Sequence, residues 1–243
     1  MTVRAILFDV GDTLVRLGPM ERDLAPDLAS VLTSAGIECS GRSVEEQSRR
    51  AIQGMLRDYF AGFEEGRLEE DDIAAMLAAH FAADGVDVPP AVAEDLATVL
   101  GRADVTRLQP WPGVIEHLHA LRDDGYRLAA VSNTTTRSAL LHAFFEEHGL
   151  SPCFDRWVFS IDRGVRKPHP AIYQCALEGI GVAGHEAVFV GDRVREDVLG
   201  PRRAGIAHAV LTHEHRQEDP GDSNPCAVIG RLEELQAILP RLR

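Results

Sequence analysis

From about Leu108 onward the chain alternates short apolar runs with stretches of helical periodicity, the pattern of parallel βαβ units, and this constrains the fold more than any other feature. Leu128–Val131, Trp157–Ser160, Ala187–Val190 and Ala207–Leu211 read as strands. Pro112 marks a helix start, Val114, Leu118 and Leu121 repeat at helical spacing, and Gly125 closes the segment. Leu140, Leu141, Phe144 and Phe145 form the apolar face of a second helix that ends near Gly149. With Ala5–Phe8, the pattern predicts about five strands in an α/β, doubly wound parallel sheet of Rossmann-like type.

Residues from about 17 to 107 carry no strand signal. Helical stretches near 21–35, 43–62, 69–83 and 90–101 are divided there by Gly36, Gly41, Gly66, Gly85 and the pair Pro89-Pro90. The expected organisation is therefore an α/β core of about 1–16 and 108–243, interrupted by an all-helical cap domain of about 17–107. An insertion at that point sits above the carboxyl end of the first strand, where open α/β sheets bind ligands.

A formal charge of −13 argues against attachment to nucleic acid or anionic lipid, so any positive charge used on a phosphate must be local. The N-terminal MTVRAILFDV lacks the long apolar stretch of a signal peptide, and no segment approaches membrane-spanning length. Cys39, Cys153, Cys175 and Cys226 are scattered, without zinc-site pairs or the density of a disulfide scaffold. These features read as a reduced, cytoplasmic protein, monomer or homodimer, with neither a nucleic acid nor a membrane as partner. All but one of the 25 basic residues are arginine, the exception being Lys167. A solitary lysine fits a site that a guanidinium fork would not serve, or is an accident of codon bias; composition leaves both open.

Four polar clusters accompany the strands: Asp9-Val10-Gly11-Asp12-Thr13, Ser132-Asn133, Lys167-Pro168, and Gly191-Asp192 with Asp197. Each alone has an ordinary structural explanation as a turn, a helix cap or a solvated loop. In a parallel sheet, however, the carboxyl ends of the strands converge on one crevice, where distant positions meet. The segments FDVGDTL, VSN, GVRKPHP and VGDRVREDVLG, in this order, resemble the four motifs of the haloacid dehalogenase-like hydrolase superfamily over nearly the whole chain. The arrangement is similar to members with a helical cap between the first two motifs.

The resemblance implies a Mg²⁺-dependent phosphatase-type hydrolase acting on a small phosphorylated molecule. Asp9 would be the nucleophile that forms an aspartyl-phosphate. Asp9, Asp192 and the Gly11 carbonyl would bind the metal, with Thr13, Glu196 and Asp197 supporting the site from behind. Ser132, Asn133 and Lys167 would bind the phosphoryl group, and Lys167 would neutralise charge on the nucleophile and in the transition state.

One position departs from the family. Most of its phosphatases carry a second Asp, which exchanges protons with the leaving group and with water, where this chain has Gly11. Asp12 is one residue further on, and adjacent side chains of an extended segment point in different directions. A catalytically weak or inactive phosphate-binding or partner-binding relative is therefore an alternative. A 2-haloacid dehalogenase ranks third, because those enzymes resemble a Ser-Asn-rich fourth motif rather than Gly191-Asp192 with Asp197. A phosphonate-cleaving relative would need a lysine in the helical insertion, which has none. His208, His213 and His215 straddle a strand end and read as a solvated loop ahead of a metal site, and Arg16, Arg163 and Arg166, near the expected crevice, read as surface charge ahead of a grip on a substrate's distal anion.

Overall fold

The computed structural model describes residues 2–39 and 41–242. Its first strand, β1 (Ala5–Phe8), leads through a tight turn into β2 (Val15–Leu17). Four helices follow: α1 (Ala25–Ser34), α2 (Val44–Glu64), α3 (Ile73–Ala83) and α4 (Pro90–Val105). The chain returns through β3 (Leu108–Pro110) and continues as α5 (Val114–Asp123), β4 (Arg127–Ser132), α6 (Ser138–Glu147), β5 (Arg156–Phe159), α7 (Ser160–Arg163), α8 (Pro170–Ile180) and β6 (Ala187–Gly191). A π-helical turn (Val194–Leu199), α9 (Gly200–Arg203), β7 (His208–Thr212), β8 (Ala227–Ile229) and α10 (Leu235–Ile238) complete the order.

Six of the described strands form one parallel sheet in the order β5-β4-β1-β6-β7-β8. β1 lies at its centre between β4 and β6, and all four of its residues are buried, as expected of a run apolar on both faces. One face carries Phe8, Leu118, Leu128, Phe145 and Val190; the other carries Leu7, Ala129, Ile172, Tyr173 and Phe189. Helices therefore cover both sides, and the Rossmann-like architecture is as the alternation predicts.

Two features differ from the sequence reading, both because three-residue strands carry too little periodicity to register. β8 extends the sheet by one strand, and β2 pairs with β3 as an antiparallel ribbon across the two ends of the helical segment. Arg16 lies in that ribbon and donates to Gln109 Oε1 at 2.9 Å. The four helices share their own apolar cluster, including Leu28, Leu32, Leu77, Phe81 and Leu96. None of the described helices is long and apolar enough to cross a membrane, and the four cysteines are unpaired.

Arg166 departs furthest from its expected place on the surface. It is among the largest fully buried side chains, and its guanidinium reaches Glu70 Oε1 at 2.6 Å and Asp71 Oδ2 at 2.7 Å, in the loop between α2 and α3. The faces of Tyr59 and Phe63 lie 5.2 and 5.8 Å from it. Backbone bonds from Arg166 N to Leu68 O (2.8 Å) and from Glu70 N to Gly164 O (3.0 Å) reinforce the attachment. Removing one member of a buried charge network leaves the others uncompensated. Arg166→Met is expected to lower stability by ~3–5 kcal/mol, measured as a shift in the urea unfolding midpoint.

Candidate active site

Asp9 follows directly from the last residue of β1, and its N–H donates to Val190 O at 2.8 Å, fixing it against β6. The next residues turn sharply. Leu14 and Val15 both donate to Val10 O, and Asp12 donates to Val15 O, so the hydroxyl of buried Thr13 comes back within 3.2 Å of Asp9 Oδ2. Gly11 sits in this turn with open space where a Cβ would stand.

Lys167 reaches the same point from the loop between α7 and α8, immediately before a cis peptide bond to Pro168. Its Nζ lies 2.5 Å from Asp9 Oδ1 and 2.8 Å from Asp197 Oδ1, and all three side chains are buried. Asn133 holds the lysine backbone at both ends: Lys167 N donates to its Oδ1 at 2.6 Å, and its Nδ2 donates to Lys167 O at 3.0 Å. Expected among the phosphate-binding residues, the Asn133 amide thus acts on the loop that presents Lys167. Ser132, at the end of β4, lines the cavity in front of Asp9.

Asp192 leaves the end of β6, and Asp197 comes from the π-helical turn, whose extra residue per turn re-aims its side chain. Gly191 permits that approach, because a Cβ there would stand 2.4 Å from the Asp197 carboxyl carbon. Asp197 Oδ2 accepts from Arg193 N at 2.9 Å. Glu196 is buried too, and its carbonyl accepts from the hydroxyl of Tyr173. Asp9, Asp192 and Asp197 place carboxylate oxygens within 4.8 Å of one another and are the one group of three potential metal ligands among the described residues. His208, His213 and His215 form no such group. His213 contacts Glu218 O at 2.9 Å, His208 faces Cys226, and His215 stacks on Trp111 at 3.4 Å.

The electrostatics follow from this crowding. Burial opposes the charge of Lys167, but the Asp197 and Asp9 carboxylates outweigh it and hold its pKa above the ordinary value. Burial pushes Asp192 up, and the neighbouring charge of Asp9 adds to the effect. Burial also pushes Asp197 up against the pull of Lys167, with Asp9 and Asp192 adding to the rise. Such a cluster is short of positive charge. Asp192 Oδ1 is buried with no hydrogen-bond partner among the described residues, an orphaned oxygen inside an all-oxygen donor set. Hard divalent cations such as Mg²⁺ suit that chemistry.

Arg216 was not legible as a site residue. Its Nε lies 2.6 Å from Asp192 Oδ2 and its Nη2 lies 3.2 Å from Asp12 Oδ2. Its place in the loop just past the carboxyl end of β7 was the available signal. Asp12 takes a left-handed backbone conformation, with φ of 56°, and its carboxylate is occupied with Arg216.

The comparisons agree with this geometry. The family model for haloacid dehalogenase-like hydrolases matches residues 3–205. Among curated proteins, a glyceraldehyde 3-phosphate phosphatase of Methanopyrus kandleri is 30% identical over 207 residues, covering 84% of this chain and 82% of that protein. The crystal structure of a HAD phosphatase from Thermococcus onnurineus covers 98% of both chains, at 26% identity and a TM-score of 0.64. That of a 2-haloacid dehalogenase from Pseudomonas syringae pv. Tomato covers 100% of both at a TM-score of 0.71, and at 21% identity this likeness is one of fold. With its four motifs gathered at the carboxyl edge of one parallel sheet, the chain belongs to the haloacid dehalogenase-like hydrolase family.

Proposed function

We propose that the protein is a Mg²⁺-dependent phosphatase that hydrolyses a small phosphomonoester through Asp9. The observation that carries this reading is the ammonium of Lys167 held between Asp9 and Asp197, beside the partnerless oxygen of Asp192. The phosphatase activity named for the Methanopyrus kandleri relative supports it.

On this reading the Asp9 carboxylate attacks phosphorus, one Asp9 O–P bond forms, and the bond to the leaving oxygen breaks. Lys167 lies against Asp9 throughout and offsets the charge that accumulates on the transferring group. Ser132 donates to a phosphoryl oxygen. Water then cleaves the acyl phosphate, releasing inorganic phosphate and restoring the carboxylate. Asp9, Asp192 and the Gly11 carbonyl would hold Mg²⁺, which when bound shields the repulsion between carboxylate and phosphate oxygens. Gly11 brings no proton to the leaving oxygen and Asp12 is committed to Arg216, so the leaving group takes its proton from solvent.

A second reading, a phosphate-binding relative with little turnover, draws on that same commitment of Asp12. Dehalogenation is disfavoured, because a departing halide would face three clustered carboxylates.

Asp9→Asn is expected to abolish Mg²⁺-dependent hydrolysis of p-nitrophenyl phosphate and acetyl phosphate, and survival of activity would remove Asp9 from the nucleophile role. Gly11→Asp fits the open space at that position and is expected to raise turnover of poor leaving groups by ~10²-fold or more. Metal binding should also depend on pH with a definite sign. Raised carboxyl pKa values mean that the metal-free folded state retains protons that the unfolded state has already lost. Metal-free stability therefore falls as pH rises through the folded-state values, and Mg²⁺ must displace whatever protons remain. The upward shift in melting temperature on adding Mg²⁺ is expected to grow between about pH 6 and about pH 8. A shift independent of pH would dissociate these carboxylates from the metal.

A further inference from the structure

A cavity of about 770 Å³ opens beside the site, bounded on one side by Gly11, Ser132 and Asn133 and on the other by α2, α4 and the segment that leads into α1. Its walls are dominated by apolar side chains, among them Ile52, Met55, Leu100 and Phe159. The large apolar side chains left exposed among the described residues are Leu17 (52%), Met20 (43%), Leu56 (42%), Phe60 (58%) and Val228. The first four line this cavity, and Val228 belongs to β8. Among the described residues, the large exposed apolar side chains are therefore concentrated where a substrate would sit, whereas scattered single residues would need no explanation.

The cations of the cavity point the same way. Arg22 pairs with Asp27 at 2.5 Å, Arg49 with Asp23 at 2.5 Å and Glu45 at 2.8 Å, and Arg107 with Asp104 and the Gly18 carbonyl, the latter at 2.9 Å. Each basic side chain of the lining thus already has a carboxylate partner, which weakens its attraction for a second anionic group on the substrate; only the buried Nε of Arg107 keeps no partner among the described residues. At the reacting end, Gly11 brings no acid to the leaving oxygen, which favours an alcohol that departs readily as its anion.

We infer that the substrate is a phosphomonoester of a bulky aromatic alcohol, its ring system seated among Leu56, Phe60 and Met20 while the phosphate meets Asp9 and Lys167. This inference rests on the phosphatase reading and narrows it. A ring so placed leaves water for apolar surface, and its phenol-type oxygen leaves without proton donation. Phosphorylated acids and polyols meet the reverse conditions, with polar bodies in an apolar chamber.

Calorimetry with Mg²⁺ and two non-hydrolysable ligands, (naphthylmethyl)phosphonate and methylphosphonate, tests the chamber independently of turnover. The naphthyl ligand is expected to bind ~10-fold tighter or more. Phe60→Ala, a change at a half-exposed position that the fold tolerates, is expected to shrink that ratio several-fold. Equal affinities, or tighter binding of a phosphonate bearing a carboxylate, would overturn the inference. So would a dimer that dissociates on Phe60→Ala, which would give the patch to a second copy of the chain. Acetyl phosphate hydrolysis separates the two claims. If it is Mg²⁺- and Asp9-dependent while the phosphonates bind alike, the substrate class fails and the phosphatase stands; if it is absent while the naphthyl ligand binds tighter, the phosphatase fails and the chamber stands.

Discussion

The structure depends on one buried ammonium. Taking Lys167 and its carboxylate partners out of water costs several kcal/mol per ion, a penalty offset only when the ions are held at contact with their remaining hydrogen bonds made. The fold supplies this with three separate pieces of backbone. β1 fixes Asp9 through Val190, the π-helical turn re-aims Asp197 past Gly191, and Asn133 at the end of β4 grips both backbone groups of Lys167. A parallel sheet is suited to this task because its central strands all end on the same edge. An arginine at position 167 would bring a planar fork in place of a compact point charge between two carboxylates, which gives the chain's solitary lysine a physical reason.

The residue before it has the opposite allegiance. Arg166 and Lys167 are adjacent in a turn closed by the bond from His169 N to Arg166 O, and their side chains diverge, one into the helical segment and the other into the crevice. A single dipeptide therefore ties the loop between α2 and α3 to the ammonium beside Asp9. The β2–β3 ribbon anchors the helical segment at its other end, beside the turn that carries Gly11.

Most of this site was legible because its parts lie where hydrophobic patterning is strongest. The ends of β1, β4 and β6 announce themselves as apolar runs broken by Asp9, Ser132 and Asp192, and the family resemblance supplied Lys167 and Asp197. What escaped were features decided by tertiary contact. Arg166 has the local sequence of an exposed loop residue, and only the arrival of Glu70 and Asp71, nearly a hundred positions earlier in the chain, makes its burial affordable. Arg216 lies in a polar stretch with no periodicity, and the sequence cannot show that Asp12 turns toward it. β8 and the ribbon are too short to register against their surroundings.

Asp12 shows why adjacency in sequence is a poor guide to chemistry. A left-handed conformation costs a residue other than glycine about 1–2 kcal/mol, and here that conformation aims the carboxylate at Arg216 on the far side of the turn. Asp12 therefore holds the loop beyond β7 against Asp192, where a catalytic acid would face the leaving oxygen. The charge balance follows. Lys167 and Arg216 face four acidic side chains, Asp9, Asp192, Asp197 and Asp12, and the metal-free crevice answers that shortage of cations by holding protons on Asp192 and Asp197. A bound dication displaces those protons and cancels the charge of the ionised carboxylates, so that a phosphate dianion is no longer repelled. On the proposed reading, metal and substrate binding are then thermodynamically linked, each strengthening the other by the same factor, whichever arrives first.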